Sequence, residues 1–260
     1  MSNNSLKNNR IAKNTALLYI RMMVVMIINL YAVRVLLNAL GVEDYGIYNV
    51  IAGVITMLYS VSSVLSTATQ RYYSYSIGEN TLTNLRNIFS TSVYIYVVLS
   101  IIVFILGETV GLWFVNTQLV IPANRMIAAN WIYQFSIFSF ITTILQIPYS
   151  AATIAHEDMG IFSILSTFET IIKLVSIFLI FIIPADRLII YGAFLLIISI
   201  IMLLSYILVG HRKYPECRYT KPSDKGLFKD LLTFSGWSLF GSVAGVGMSQ
   251  INTLLINIFF

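Results

Sequence analysis

The sequence predicts an all-α membrane protein, a polytopic bundle of transmembrane helices. Of its 260 residues, 58% are hydrophobic and only 10% are charged, whereas soluble domains contain about 25% charged residues. The mean hydropathy is +0.82. The apolar residues also fall in blocks long enough to cross a hydrocarbon core, which takes about 20 helical residues. These observations exclude a water-soluble globule.

Seven apolar blocks are predicted to span the membrane. The first six form an N-terminal six-helix lobe over residues 1–209, and residues 235–260 form a seventh helix. Between them, residues 210–234 form a cytoplasmic loop, in which residues 225–232 have one apolar and one charged face, typical of an interfacial helix. The first block contains charges and lacks a small-residue cleavage site, so we expect a retained span and no signal peptide. The predicted spans are 15–39, 46–70, 86–106, 124–150, 161–183, 188–209 and 235–260.

Helix-breaking residues separate these blocks. Residues Gly41 to Gly46 predict a tight polar elbow on the outer side, with two acidic residues in water. Residues 76–80 predict a helix stop on the inner side, and an outer segment is expected after residue 106. Pro148 is expected to end or kink the fourth span, because proline lacks a backbone donor.

The distribution of Lys and Arg predicts a cytoplasmic N-terminus. In this orientation eleven Lys and Arg lie in cytoplasmic segments, and only Arg34, Arg125 and Arg187 lie in outer segments or at outer helix ends. Such an excess follows the positive-inside rule. The net charge of +5 is explained by this bias and by contact with anionic membrane lipids, so we expect no nucleic-acid partner.

Four charged residues lie within the predicted spans, where a charge is costly and marks a candidate site. Arg21 and Arg34 lie near the two ends of the first span, so each side chain could simply extend to the membrane surface. They are about 140° apart around the helix and form no common stripe. Glu169 and Lys173 lie near the centre of the fifth span with the i, i+4 spacing of a helical ion pair. Either they neutralise each other for insertion, or Lys173 faces a hydrated cavity and binds an anionic head group, with Glu169 tuning it.

The remaining polar residues indicate no enzyme chemistry. The sequence contains no nucleophile elbow, phosphate-binding loop or zinc-protease motif, so we expect neither catalytic residues nor a cofactor. His156 and His211 are far apart in sequence and predict no metal site, and His156 reads as an ordinary loop residue. The single Cys217 excludes an intrachain disulfide. Amide side chains could add polar lining to a cavity or join helices: Asn29, Asn38, Gln134, Gln146, Gln250 and Asn252.

Several runs resemble one known family, the bacterial polysaccharide flippases of the multidrug/oligosaccharidyl-lipid/polysaccharide exporter superfamily, in its O-antigen-type branch. The similarity covers essentially the whole chain. The runs are Arg34 to Asn49, Gln70 to Tyr72 with Ser76 to Gly78, Ile121 and Pro122 with Arg125 and Ala128–Ala129, Pro148 to Met159, and Glu169 to Leu174.

This resemblance implies a fold of two six-helix lobes around a central cavity in the bacterial inner membrane. It also implies a substrate, a polyprenyl-diphosphate-linked oligosaccharide flipped to the outer leaflet for O-antigen or lipopolysaccharide export. Basic cavity residues would meet the diphosphate, and by analogy the candidates are Lys173, Arg21 and Arg71, in that order, followed by Arg34. Glu169 completes the candidate set.

Alternative functions remain open at this stage. A cation-coupled multidrug antiporter of the same superfamily would need an intramembrane acid, and Glu169 is the central candidate. A glycan polymerase or ligase would need a large outer loop with His or Arg, which the sequence lacks. Because the chain stops inside apolar sequence after one lobe and a seventh helix, we expect a truncated product. A separate C-terminal half or glycan-assembly membrane proteins are therefore expected partners, and a non-transporting membrane fragment is a further alternative.

Overall fold

The computed structural model describes residues 3–78 and 82–220, together with residue 233. The predicted interfacial helix and seventh span lie outside these residues. Within them the regular elements are all helical, which confirms the predicted fold class. The elements are α1 (Asn3–Gly78), α2 (Leu82–Leu106), a π-helical turn (Gly107–Gly111), α3 (Leu112–Thr117), α4 (Met126–Ala155), α5 (Met159–Ile180) and α6 (Arg187–Lys213).

Five helical segments in the described part of the chain are long and apolar enough to cross a membrane. The chain is a multi-pass membrane protein. The first and second predicted spans both lie in α1, so the first segment contains the first predicted span and continues into the second. The segments are Ala12–Thr56, Leu82–Thr117, Met126–Ala155, Met159–Ile180 and Arg187–Lys213.

Gly41 divides α1 into a first arm, residues 3–40, and a second arm, residues 42–78. Its backbone has φ 81° and ψ 172°, a region that is essentially restricted to glycine. Helical conformation resumes at the next residue. Glu43 and Asp44 therefore lie in the first turn of the second arm, where the helix N-terminus favours acidic side chains. The predicted six-residue polar elbow is thus reduced to the single non-helical residue Gly41.

The sequence predicted that the third span ends at residue 106. Instead, the helix that begins with α2 continues through the π-helical turn and α3 to Thr117. The Tyr133 hydroxyl of α4 donates a hydrogen bond to the Gly107 carbonyl at 2.8 Å. A Cβ atom on Gly111 would lie only 2.0 Å from the Tyr133 hydroxyl oxygen. Glycine here therefore permits close helix packing and does not end the helix.

The central helix of the lobe is α4, which packs against α1, α2, α5 and α6. It continues through Pro148 to Ala155. Of the two predicted effects of Pro148, an end or a kink of the span, the structure therefore rules out the end. Membrane helices tolerate proline where neighbouring helices surround it, and Pro148 is buried. The inward-facing side chains of α4 include Ile132, Phe140 and Ile144, each at most 1% exposed.

Candidate functional site

A cavity of about 210 Å³ lies between the second arm of α1 and helices α4, α5 and α6. We call it the central cavity. Hydroxyl groups from three helices line it, together with one ion pair. The lining residues are Tyr48, Ala52, Ile55, Thr56, Tyr59, Ser136, Ser139, Thr143, Glu169, Lys173, Leu195 and Ser199.

Lys173 and Glu169 form the predicted i, i+4 ion pair on the α5 wall of this cavity. The Lys173 Nζ donates to Glu169 Oε1 at 2.6 Å. Their side chains are 44% and 34% exposed, so the pair faces open space and not packed protein. An ion pair at this position lowers the cost of keeping both charges inside the membrane. Lysine has three donors, so Lys173 retains capacity to bind an anion that enters the cavity.

The hydroxyl lining was missed by the sequence interpretation. Ser136, Ser139 and Thr143 are spaced i, i+3, i+7 and share one face of α4, a pattern that could have identified them. The Ser139 hydroxyl oxygen is buried and has no hydrogen-bond partner among the described residues. On α6, Ser199 accepts a hydrogen bond from Thr142 at 2.8 Å. These groups give the cavity wall donors and acceptors around the single ion pair.

The cavity volume limits what it can hold. Pockets for drug-sized ligands usually measure about 300–1,000 Å³, and the central cavity is smaller.

Arg21 lies apart from Lys173, in a second cavity between the first arm and α5. The Arg21 guanidinium carbon is 4.6 Å from the centre of the Phe162 ring. Lys13 lines the same space. The sequence grouped Arg21 with Lys173 as one site, and the structure places them in different cavities.

The other predicted site residues line neither cavity. Arg34 and Arg71 are exposed on the first and second arms. Gln134 donates to Glu108 at 3.0 Å and so joins two helices. None of the four described amides proposed as polar lining contributes to these two cavities, and Gln250 and Asn252 lie outside the described residues.

Arg125 joins three helix ends at the side of the lobe predicted to face outward. Its Nε and Nη2 donate to the two carboxylate oxygens of Asp44, at 2.7 and 2.5 Å. Its Nη1 and Nη2 donate to the two oxygens of Asp186, at 2.6 and 3.2 Å. Asp186 also caps α6 by accepting from the amides of Leu188 and Ile189. We call Asp44, Arg125 and Asp186 the Arg125 cluster.

The contacts within the Arg125 cluster shift the pKa values of Arg125 and Asp186. The hydrogen bond with Asp186 raises the pKa of Arg125 despite partial burial. Burial would raise the pKa of Asp186, but hydrogen bonds from Arg125 and from the α6 amides lower it. Arg125 and Asp186 therefore remain charged over the physiological pH range. A neighbouring contact stabilises the C-terminal end of the first arm. There the break at Gly41 leaves carbonyl groups without helical hydrogen bonds, and Arg187 donates to one of them, the Ala39 carbonyl, at 2.9 Å.

A second cluster holds the segment after α6 against the turn between α4 and α5. His156 Nε2 contacts the buried Glu216 carboxylate at 2.5 Å, and its ring stacks on Tyr214 at 4.7 Å. The Tyr214 hydroxyl donates to Asp158 at 2.6 Å, and Lys213 pairs with the same carboxylate at 2.9 Å. We call these five residues the His156 cluster. The prediction that His156 is an ordinary loop residue overlooked this contact, since Glu216 is 60 residues away in sequence.

The His156 cluster also keeps its acids charged. Burial would raise the pKa of Glu216, but its hydrogen bond with His156 lowers it. Asp158 likewise has a lowered pKa, because hydrogen bonds from Tyr214 and Lys213 outweigh burial. Burial raises the pKa of the Cys217 thiol, which keeps this buried cysteine protonated and unreactive. The contacts of the His156 cluster join chain segments to one another, and none of its five residues lines the central cavity or the cavity that contains Arg21.

Comparison with known proteins identifies the family. The family model described as "Polysaccharide biosynthesis protein" matches residues 11–260, nearly the whole chain. Neither a curated protein nor a solved structure matched. Members of this family are generally transporters and not enzymes. This match over nearly the whole chain shows that the membrane-spanning bundle belongs to the polysaccharide biosynthesis protein family.

Proposed function

We propose that this chain takes part in flipping a polyprenyl-diphosphate-linked oligosaccharide across the bacterial inner membrane, for export of a surface polysaccharide such as O-antigen. The proposal rests on the family assignment and on one observation, the Lys173–Glu169 pair on the wall of the central cavity. Lys173 meets the diphosphate, and Glu169 holds the ammonium group in place until the anion arrives. The small cavity accommodates the head group, while the glycan remains outside it.

The orientation proposed is a cytoplasmic N-terminus, supported by the excess of Lys and Arg in the segments assigned to that side. The structure offers two exposed positions for a labelling test. Val42 is 82% exposed beside Gly41, and Tyr219 is 57% exposed after α6. In a Cys217→Ala background, an impermeant thiol reagent should label Val42→Cys in intact cells and Tyr219→Cys only after lysis. The reverse pattern would contradict the orientation.

The function is tested by complementing a deletion strain with the full-length gene and measuring surface glycan and lipid-linked precursor. Lys173→Ala should reduce surface glycan and cause precursor to accumulate, because the diphosphate loses its cation. Lys173→Arg should retain part of the export, since the positive charge is kept. Arg212→Ala is the control, because Arg212 is an exposed cation at the end of α6. Normal export by Lys173→Ala would refute the role of Lys173.

A double variant separates anion binding from charge neutralisation. Removing one member of the pair leaves an uncompensated charge in the membrane, so Lys173→Ala could fail through misfolding alone. Lys173→Met combined with Glu169→Met removes both charges and relieves that cost. If the pair serves only insertion, the double variant should export normally. If Lys173 binds the diphosphate, the double variant should fold, reach the membrane in normal amounts and still accumulate precursor.

A further inference from the structure

The cavity that contains Arg21 is a groove of about 610 Å³ between the first arm and α5. We call it the lateral groove. The two helices run side by side in the same direction, since Asn14 donates to the Glu157 carbonyl at 3.1 Å and Arg21 packs on Phe162. Each contributes one stripe at helical spacing. Val24, Ile20 and Leu17 face it from the first arm, and Ile164, Phe168 and Ile171 face it from α5.

Both cations of the groove lie towards the same end. Lys13 and Arg21 are eight residues apart, about 12 Å along a helix. Helical side chains lean towards the N-terminus, and the guanidinium of Arg21 indeed lies over Phe162 in the first turn of α5. This direction brings the Arg21 head group towards Lys13 and towards the membrane surface. Apart from Ser163 and Thr167 of α5, the rest of the groove is lined by apolar residues.

Arg21 has donor capacity that the described protein does not use. Its Nε is buried without a hydrogen-bond partner among the described residues, and a buried donor left unpaired is costly. The nearest intramembrane carboxylate of α5, Glu169, is bonded to Lys173 instead. Glu157, at the end of the groove, is exposed. A group with several acceptor oxygens and negative charge, such as a phosphate, would complement these cations.

The shape of the groove favours a hydrocarbon chain over a protein helix. The stripe from Lys13 to Val24 is about 16 Å long, so the groove has a mean cross-section of roughly 40 Å². An α-helix about 10 Å across needs roughly 80 Å². A single lipid tail therefore matches this width more closely than a helix does.

We propose that the lateral groove binds a phosphate-headed membrane lipid from the leaflet nearest the N-terminal end of α1. Its phosphate lies between Lys13 and Arg21, and its hydrocarbon chain runs along Ile20, Val24 and Ile171. This site is separate from the central cavity. Binding at the groove needs no glycan transport, so its failure and the failure of the flippase proposal are distinguishable.

The test uses the full chain in phosphatidylcholine vesicles that contain one of two photoactivatable probes. The first is phosphatidic acid with a diazirine near the end of its acyl chain, and the second is diacylglycerol with the same chain. Mass spectrometry of the labelled peptides then locates the chain. We expect phosphatidic acid to label residues 164–171 more than diacylglycerol does, by about fivefold for each groove cation. Equal labelling by the two probes would overturn the phosphate site.

Variants with matched controls test both ends of the lipid. Arg21→Gln should reduce phosphatidic acid labelling about fivefold, whereas Arg212→Gln removes an exposed cation outside the groove and should change nothing. Gly160→Leu should fill the groove and reduce labelling by both probes. Gly160→Ala is its control, because an added Cβ would lie 4.0 Å from Leu17, an ordinary contact.

Three further outcomes would refute the proposal. An equal loss in Arg212→Gln would show a non-specific surface charge effect. Unchanged labelling in Gly160→Leu would exclude the groove as the site of the chain. Crosslinks between two copies through residues 164–171 would show that protein, and not lipid, covers the groove.

Discussion

Replacing Arg125 by Met should detach the ends of three helices from one another. The guanidinium makes four hydrogen bonds to two carboxylates, and both oxygens of Asp44 depend on it. Asp186 keeps its two bonds from the α6 amides after the change. The cost should therefore come mainly from Asp44, which would lose both of its arginine bonds.

The magnitude follows from the burial of the three side chains, which are 21%, 16% and 29% exposed for Arg125, Asp44 and Asp186. Breaking a fully buried pair costs about 3–5 kcal/mol, whereas a fully exposed pair contributes about 0.2–1 kcal/mol. The cluster lies between these limits, and its bidentate geometry is the strong kind. We expect Arg125→Met to lower the free energy of unfolding by about 2–3 kcal/mol. Arg125→Lys should cost about half of that, because lysine cannot bond both oxygens of Asp44 at once.

Thermal unfolding of the purified protein in detergent measures this effect. A loss of 2–3 kcal/mol corresponds to a decrease in Tm of roughly 4–12 °C for a chain of this size. Arg34→Gln is the control, since Arg34 is exposed and should change stability by at most about 0.5 kcal/mol. A double-mutant cycle with Asp44→Asn should show coupling above about 0.5 kcal/mol. Additive effects, or an unchanged Tm in Arg125→Met, would refute the reasoning.

Three further predictions concern the backbone and pH. Gly41→Ala should lower the free energy of unfolding by about 1–3 kcal/mol, because alanine is strained in this backbone conformation. Gly46→Ala, in open helical space, should be neutral or stabilising. Equal melting temperatures for the two variants would contradict this. Gly111→Ala should lower the Tm because the new methyl group meets the Tyr133 hydroxyl, and Tyr133→Phe in the same background should restore part of the loss; absence of rescue would count against the contact. Glu216→Gln should destabilise the protein at pH 7, and melting curves from pH 7 to 3 should show the difference from the unmodified protein shrinking below about pH 5. The sign follows because the folded pKa of Glu216 is lowered, so its stabilisation is present above the unfolded pKa and lost as pH falls through the folded value; a difference independent of pH would exclude the linkage.

The sequence was sufficient to predict the helical membrane fold because each span carries its own apolar signal. It also predicted the Lys173–Glu169 pair, since an i, i+4 contact lies within one helix and needs no knowledge of its neighbours. The ends of the helices were less predictable. An outer segment was expected after residue 106, but Gly107 and Gly111 continue the helix and accommodate Tyr133 from another helix.

Contacts between distant parts of the chain were beyond the sequence interpretation. Arg125 was counted only as an outer cation, and its partners Asp44 and Asp186 are 81 and 61 residues away. Arg21 was grouped with Lys173 because both are intramembrane cations. Which cavity each one faces depends on how α5 packs between α1 and α6, and a single helical period does not determine that packing.

The first arm also has a consequence for the order in which the protein is assembled. The most apolar stretch of Ala12–Thr56 contains no buried residue, whereas the least apolar of the five spanning segments, Met126–Ala155, forms the centre of the lobe. Ala12–Thr56, which is synthesised before the other four segments, is therefore compatible with lipid on all sides of its most apolar stretch. The segment made in the middle carries hydroxyl groups such as Ser139 that need neighbouring helices around them. We therefore expect Ala12–Thr56 to insert independently of the other four segments, and α4 to settle only after α5 and α6 have been inserted.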